Sequence, residues 1–225
     1  MDHFLYGTAC AEADPGQFPH VTEWLATIRD LGVKALVVLG PDPFGDTDSR
    51  EVFCACPDTY AKAAQALCQS DAYGKAWRES KSPLAAWLCW NDQDSLSDWR
   101  TNWNQHGLNS MVRIELPLPM GRSFECFVFC NTAIPGRSEA ADICYAMMSA
   151  WPMLKDEITS TKLGISARER ESLVAAADGL TARETSLRMR CTERTVTHHW
   201  SSVMRKMQTK NKVAAVQRAS WLGLI

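Results

Sequence analysis

No stretch of the 225-residue chain runs to eighteen apolar residues, so no segment suits a membrane-crossing helix. The first residues lack a basic region followed by an apolar one, which reads as the absence of a secretory signal and makes the cytoplasm the expected compartment. Zinc-ligand spacing is missing: Cys54-Ala-Cys56 has no second pair of cysteines or histidines to complete a site, so it reads as strand packing. The nine cysteines are odd in number and form no framework, which fits reduced thiols. The glycine-containing loop from Gly40 to Asp46 is followed by no Gly-Lys-Ser/Thr and cradles no phosphate on that ground. There is no His-Glu-x-x-His and no Gly-x-Ser-x-Gly, so no catalytic constellation is legible. The expectation is a protein that is not an enzyme and holds no cofactor or metal.

An excess of charge of one sign is also missing, but only on average. The 24 basic and 26 acidic residues give a net −2. From Leu163 to Ile225, eight Arg and three Lys face four Glu and one Asp, a net +6, so the preceding 162 residues carry −8. A basic end on an acidic body is the footprint of a segment that meets nucleic acid. The same end carries helix signals. Ser166-Ala-Arg-Glu169 and Thr181-Ala-Arg-Glu184 are capping boxes, in which the hydroxyl takes a free first-turn N–H and the glutamate reaches back. Thr192 can cap a third helix, and Gly179 stands where a left-handed residue closes the first. Helices are predicted over 167–178, 182–189, 193–207 and 211–222. Arg190-Cys191-Thr192 is the sharp turn of a helix-turn-helix.

This segment resembles the C-terminal DNA-binding domain of LuxR/NarL-type transcription regulators. The match runs through Ser166-Ala-Arg-Glu-Arg-Glu171, Leu173, Gly179-Leu180, Glu184, Thr195-Val196, His199, Lys206-Met207, Asn211, Ala215-Val216 and Gly223-Leu224-Ile225. Thr185 and Cys191 depart from it, standing where the family usually has isoleucine, which implies a somewhat looser domain. The resemblance implies that the helix from Glu193 enters the major groove of double-stranded DNA. Thr197, His198 and Ser201 are then expected at base edges, and Arg194, Thr195, His199, Arg205 and Lys206 at phosphates. Thr181, at the start of the preceding helix, is counted with the DNA-facing set.

The body reads less sharply. Residues 20–31 have apolar positions at helical spacing, Val33 to Leu39 is a buried strand, and Arg50 to Cys56 its partner. Residues 58–69 and 71–80 read as helices, and Ser95 to Gln105 as another. Ser110–Leu118 and Ser123–Cys130 alternate as a β-hairpin, and Gly136–Lys155 follows as a long helix. The order αββ-ααα-ββα gives an α+β fold: an antiparallel sheet with helices on its faces. Domain limits are set at 1–156 for the body, 157–165 for a polar linker, and 166–225 for an all-α four-helix helix-turn-helix domain.

The body resembles the ligand-sensing domain of quorum-sensing LuxR-type regulators, a PAS/GAF-like α-β-α sandwich. Asp71-Ala-Tyr-Gly, Ser80-Lys-Ser-Pro83, Trp87, Gly107-Leu108 and Val112 through Leu116-Pro117-Leu118 carry that match. The resemblance implies an acyl-homoserine lactone held by a tryptophan, tyrosines and an aspartate. Of these only Asp71 has a clear counterpart; the tryptophan position falls near Asp58 and a tyrosine position near Cys54, with Tyr60 the one aromatic hydroxyl close by. Without the indole N–H a buried lactone carbonyl would lose its partner, at a cost of roughly 1–3 kcal/mol. The expectation is a sensor not tuned to standard acyl-homoserine lactones, with Tyr60, Asp71, Trp87 and Trp90 as candidate contacts for another small molecule. Five of the nine tryptophans fall between Trp77 and Trp103. They read either as the walls of a pocket or as core filling, and Asp71 either as a contact or as a helix cap. Half-site reading implies a homodimer, with the Met147, Met148, Trp151, Met153 and Leu154 end of the long helix as its candidate interface. Two alternatives remain open: a regulator that needs no ligand, and an antagonist that pairs with a related activator.

Overall fold

A computed structural model describes residues 16–41, 50–70, 84–90, 98–118 and 122–225. In chain order the elements are α1 (Pro19–Thr27), β1 (Val33–Pro41), β2 (Arg50–Cys56), α2 (Ala61–Gln69), β3 (Ala85–Cys89), α3 (Asp98–Asn104), β4 (Ser110–Pro117), β5 (Ser123–Cys130) and α4 (Arg137–Leu163). Four short helices follow: α5 (Ala167–Ala177), α6 (Ala182–Met189), α7 (Glu193–Lys206) and α8 (Lys212–Trp221).

The five strands make one antiparallel sheet in the order β2-β1-β5-β4-β3. The two central strands, β1 and β5, are apolar at nearly every position because helices cover both faces. Alternation sends Leu36, Val38, Phe124, Cys126 and Val128 toward α1 and α4, and Ala35, Val37, Leu39, Phe127 and Phe129 toward α2 and α3. Gly40 in β1 sits where a Cβ would come within 2.6 Å of the Phe53 ring and 2.8 Å of Phe124, which together form an edge-to-face pair. Cys54 and Cys56 are buried in the layer beneath α1 and α4, and burial pushes the Cys54 thiol well up.

The α+β reading holds, with two differences. The stretch holding Trp87, to which the sequence assigns no element between the helices expected over 71–80 and 95–105, contains β3. Its five residues are bounded by segments outside the description, and Ala-Ala-Trp-Leu-Cys alone carries too little alternation to announce a strand. The helix expected over 71–80 lies outside the described residues.

The other difference is the linker. Helix α4 continues through Leu163 and ends at Gly164, which takes a left-handed conformation with φ 62°. Ile158 and Thr159 are fully buried on it, and the polar residues that suggested a linker are engaged. Glu157 accepts from the backbone N–H groups of His20 and Val21, both at 3.0 Å. It therefore caps α1, whose own N-cap residue Phe18 offers no side chain for the purpose. Lys162 pairs with Glu51 at 2.7 Å, and Asp156 with Arg170.

The helical end rests against this body. Arg170 clamps Asp156 with two bonds, of 2.7 and 2.9 Å, and its Nε donates to the Leu224 carbonyl at 2.8 Å. Leu222 joins the core beneath α1 and α4, and the Arg122 guanidinium lies 4.5 Å from the centre of the Trp221 ring.

Candidate nucleic-acid interface

The four C-terminal helices start and stop where the sequence says. Ser166 accepts from the Glu169 N–H while Glu169 accepts from the Ser166 N–H, and Thr181 and Glu184 repeat the exchange. Gly179 closes α5 with φ 81°. The turn between α6 and α7 is closed by Arg190 in the left-handed region, φ 53°, with the Cys191 N–H donating to the Ser186 carbonyl at 3.0 Å. Thr192 caps α7 by accepting from the Thr195 N–H.

Helix α7 is sharply two-sided. Val196 and Val203 are fully buried, and Val203 and Met207 face the core of Leu173, Ala215, Ala219 and Leu224. Arg194, Thr197, His198, Ser201 and Arg205 are exposed. Their spacing of three and four places them along one outer stripe, opposite the buried one. A helix so held offers its stripe as a rigid edge bearing two guanidinium groups, an imidazole and two hydroxyls. The Thr197 hydroxyl donates to the Glu193 carbonyl at 2.9 Å, which orients it and leaves its oxygen able to accept. The partly buried His199 stands edge-on to His198, ring centres 6.2 Å apart.

Three of the residues expected at DNA make structural contacts within the chain. The Lys206 ammonium is held by both oxygens of Glu169, at 2.7 and 2.9 Å, and by the Gly164 carbonyl, so it staples α7 to the start of α5. Burial would raise the Glu169 carboxyl, but the hydrogen bonds from Lys206, Ser166 and Ser202 outweigh it and hold the group at about 2. The Thr181 hydroxyl donates to Glu184 at 2.7 Å, and the bonds from Thr181 hold that carboxyl below its usual range. Thr195 shares its hydroxyl with Thr192 at 2.9 Å.

One residue of this unit went unmarked in the sequence. Trp200 donates its indole N–H to the Ser172 carbonyl at 3.0 Å and takes the Lys212 ammonium 4.3 Å from its ring centre, so it fastens α7 to α5 and α8. A tryptophan inside a polar helical stripe was the available signal. Thr185, expected to loosen the domain, is fully buried, and its hydroxyl has no hydrogen-bond partner among the described residues.

In the body, the candidate ligand contacts do not converge. Tyr60 and Trp90 lie on the α2 and α3 side of the sheet, whereas Trp87 pairs with Val112 and faces α4, because alternation along β3 turns Trp87 away from its even-numbered neighbours. Asp71 lies outside the described residues. On the α2 and α3 side the rings fill space: Trp103 is fully buried and stacked on Phe129 at 3.6 Å, Tyr60 leans on Trp103, and Trp90 meets Trp99 edge-on. Trp90 gives its indole N–H to Asn104 at 2.7 Å. Of the helix end expected at a dimer interface, Met147 and Leu154 are fully buried and Trp151 packs against the sheet core, while Met148 and Met153 are exposed.

Among the described residues no helix is long and apolar enough to cross a membrane. Residues 164–219 match the family described as bacterial regulatory proteins, luxR family. Among curated proteins, the transcriptional activator protein SolR of Ralstonia nicotianae is 33% identical over 129 residues, 56% of this chain and 51% of that protein. The regulatory protein SdiA of Escherichia coli is 31% identical over 149 residues, 61% of this chain and 62% of that one. The alignment with SolR thus spans about half of that protein's length. A crystal structure of E. coli SdiA superposes with a TM-score of 0.46 at 22% identity, covering 95% of this chain and 93% of that one.

Proposed function

We propose that this chain, whose residues 164–219 match the bacterial regulatory proteins of the luxR family and which is similar to the transcriptional activator SolR and the regulatory protein SdiA, is a DNA-binding transcription regulator working in the cytoplasm as a homodimer. The relatives it matches are named as regulators, not as enzymes. The observation that carries the reading is the exposed stripe Arg194, Thr197, His198, Ser201 and Arg205 on a helix whose other side is locked by Val196 and Val203. Such a helix can lie in a major groove with hydroxyls and imidazole at base edges and guanidinium groups at phosphates. Two copies are needed because one short helix reads only a half-site. The chain divides at Gly164, with a sensing unit before it and the reading unit after it.

The test is binding of the full-length protein to duplexes selected from a random pool, measured by fluorescence anisotropy between 50 and 200 mM salt. The logarithm of affinity is expected to fall with the logarithm of salt at about −0.9 per phosphate contact. Arg194→Gln lowers that slope by about one and weakens all sequences alike, while Thr197→Ala relaxes sequence choice. A flat salt curve rejects the reading.

The filled ring layer on the α2 and α3 side favours a second reading for the body alone. With Trp103 and Phe129 in contact and fully buried, this side supports a regulator that takes no standard acyl-homoserine lactone there, or needs no ligand at all. Operator binding by ligand-free protein, unchanged by added lactones, is the matching outcome.

A further inference from the structure

The opposite face of the sheet holds a groove. Helix α4 presents Arg137, Ala140, Ala141, Cys144, Tyr145 and Met148 to it, a single stripe at spacings of three and four. The edge of the sheet closes the other side with Ala85, Ala86, Trp87 and Val112. Four alanines leave room where larger residues would have closed the contact between helix and sheet. The resulting volume is about 410 Å³, within the range of small-molecule sites.

The walls have a definite chemistry. Trp87 is 44% exposed, Tyr145 77% and Met148 60%, so among the described residues of one chain three large side chains stand uncovered beside a small-residue floor. On the ring-filled side, by contrast, the large side chains have already met each other. Arg137 is the charged group lining the groove, and its guanidinium has no ion pair among the described residues. Glu139 and Asp142 of the same helix lie off the lining stripe. An apolar slot with one cation at its end complements a small molecule with an apolar body and a single negative charge.

We propose that the groove between β3 and α4 binds an amphipathic monocarboxylate, its ring or alkyl body between Trp87, Tyr145 and Met148 and its carboxylate on Arg137. Its role as the effector rests on the regulator reading; the binding does not.

The probe is 4-phenylbutyrate with the full-length protein, and 4-phenylbutyramide is its neutral counterpart. Binding is read from the indole N–H resonances, with that of Trp87 assigned by Trp87→Phe. The acid is expected to move the Trp87 signal and to leave those of Trp90 and Trp103 in place. Arg137→Gln weakens the acid about tenfold and leaves the amide unchanged. Ala141→Trp, a change at an exposed position, fills the slot and abolishes both, with melting unchanged as the check on folding. Equal affinity for acid and amide in the unaltered protein overturns the proposal. So do shifts confined to Trp90 or Trp103, and the absence of any shift up to millimolar probe. A Trp87 signal that moves with protein concentration alone, with dimer formation in sedimentation lost in Ala141→Trp, assigns the groove to a second copy and also overturns it. Because no arm uses DNA, failure here leaves the salt-dependent operator test standing, and failure there leaves this one.

Discussion

The two halves of the chain are built on opposite principles. The C-terminal helices are local: each cap, turn and stop is made by residues within a few positions of one another, as in Ser166 with Glu169, Thr181 with Glu184, Thr192 with Thr195 and Asn211 with Ala214. The body is assembled from a distance. Strand β1 pairs with β5 some ninety residues on, and α1 is capped by Glu157, 136 or 137 residues away. The lesson is that a basic, locally specified helical end can be read from its own neighbouring residues, while the body is defined only by contacts between residues far apart in the chain.

That contrast can be broken in graded steps. The largest effect is expected in the body: Phe129→Ala removes a fully buried ring stacked on Trp103 and costs about 3–5 kcal/mol. Urea unfolding followed by near-ultraviolet dichroism measures it, and the C-terminal helices should keep their far-ultraviolet signal longest.

Leu222→Ala comes next, at about 2–4 kcal/mol, because Leu222 of the reading unit is buried in the body's core. It should also split one unfolding transition into two, since that side chain joins the local half to the distant one. A single transition in the variant would show that the two halves are coupled elsewhere, through Arg170 and Asp156.

Acid offers a third step. Glu169 is held at about 2 in the folded chain, below its value in an unfolded one, so its contribution is fully present above about pH 4.5 and is lost as pH falls toward 2. A loss of roughly 2 kcal/mol across that window is expected by melting curves, and Glu169→Gln should flatten it. In the same variant the Lys206 ammonium loses its carboxylate partner and becomes available to phosphate.

The smallest step sharpens the comparison. Thr185→Val replaces a buried hydroxyl that lacks a partner with a methyl group of the same shape, and should stabilise the reading unit by about 1 kcal/mol without altering DNA affinity. Unchanged or lower melting would mean that the hydroxyl is satisfied in solution.

The C-terminal helix limits were legible to within a residue or two because capping chemistry is written in neighbouring letters. The exposed stripe from Arg194 to Arg205 was legible because helical periodicity fixes which positions share a side. The pairing of Lys206 was not legible for the opposite reason: its partner Glu169 is thirty-seven residues away, and a basic residue looks alike in the sequence whether or not a buried carboxylate lies beside it. Strand β3 escaped because five residues offer little period.

By itself, then, the sequence determined the limits of the four C-terminal helices, the charge split and the antiparallel core strands, since short-range hydrogen bonds and side-chain period are properties of adjacent residues. Only the tertiary structure decided that α4 runs on to Gly164, that Trp87 and Trp90 face opposite ways, and that the rings beside Trp103 are packed together while those beside Arg137 are not. These depend on which distant surfaces meet, and contact between remote residues leaves no local pattern in the chain.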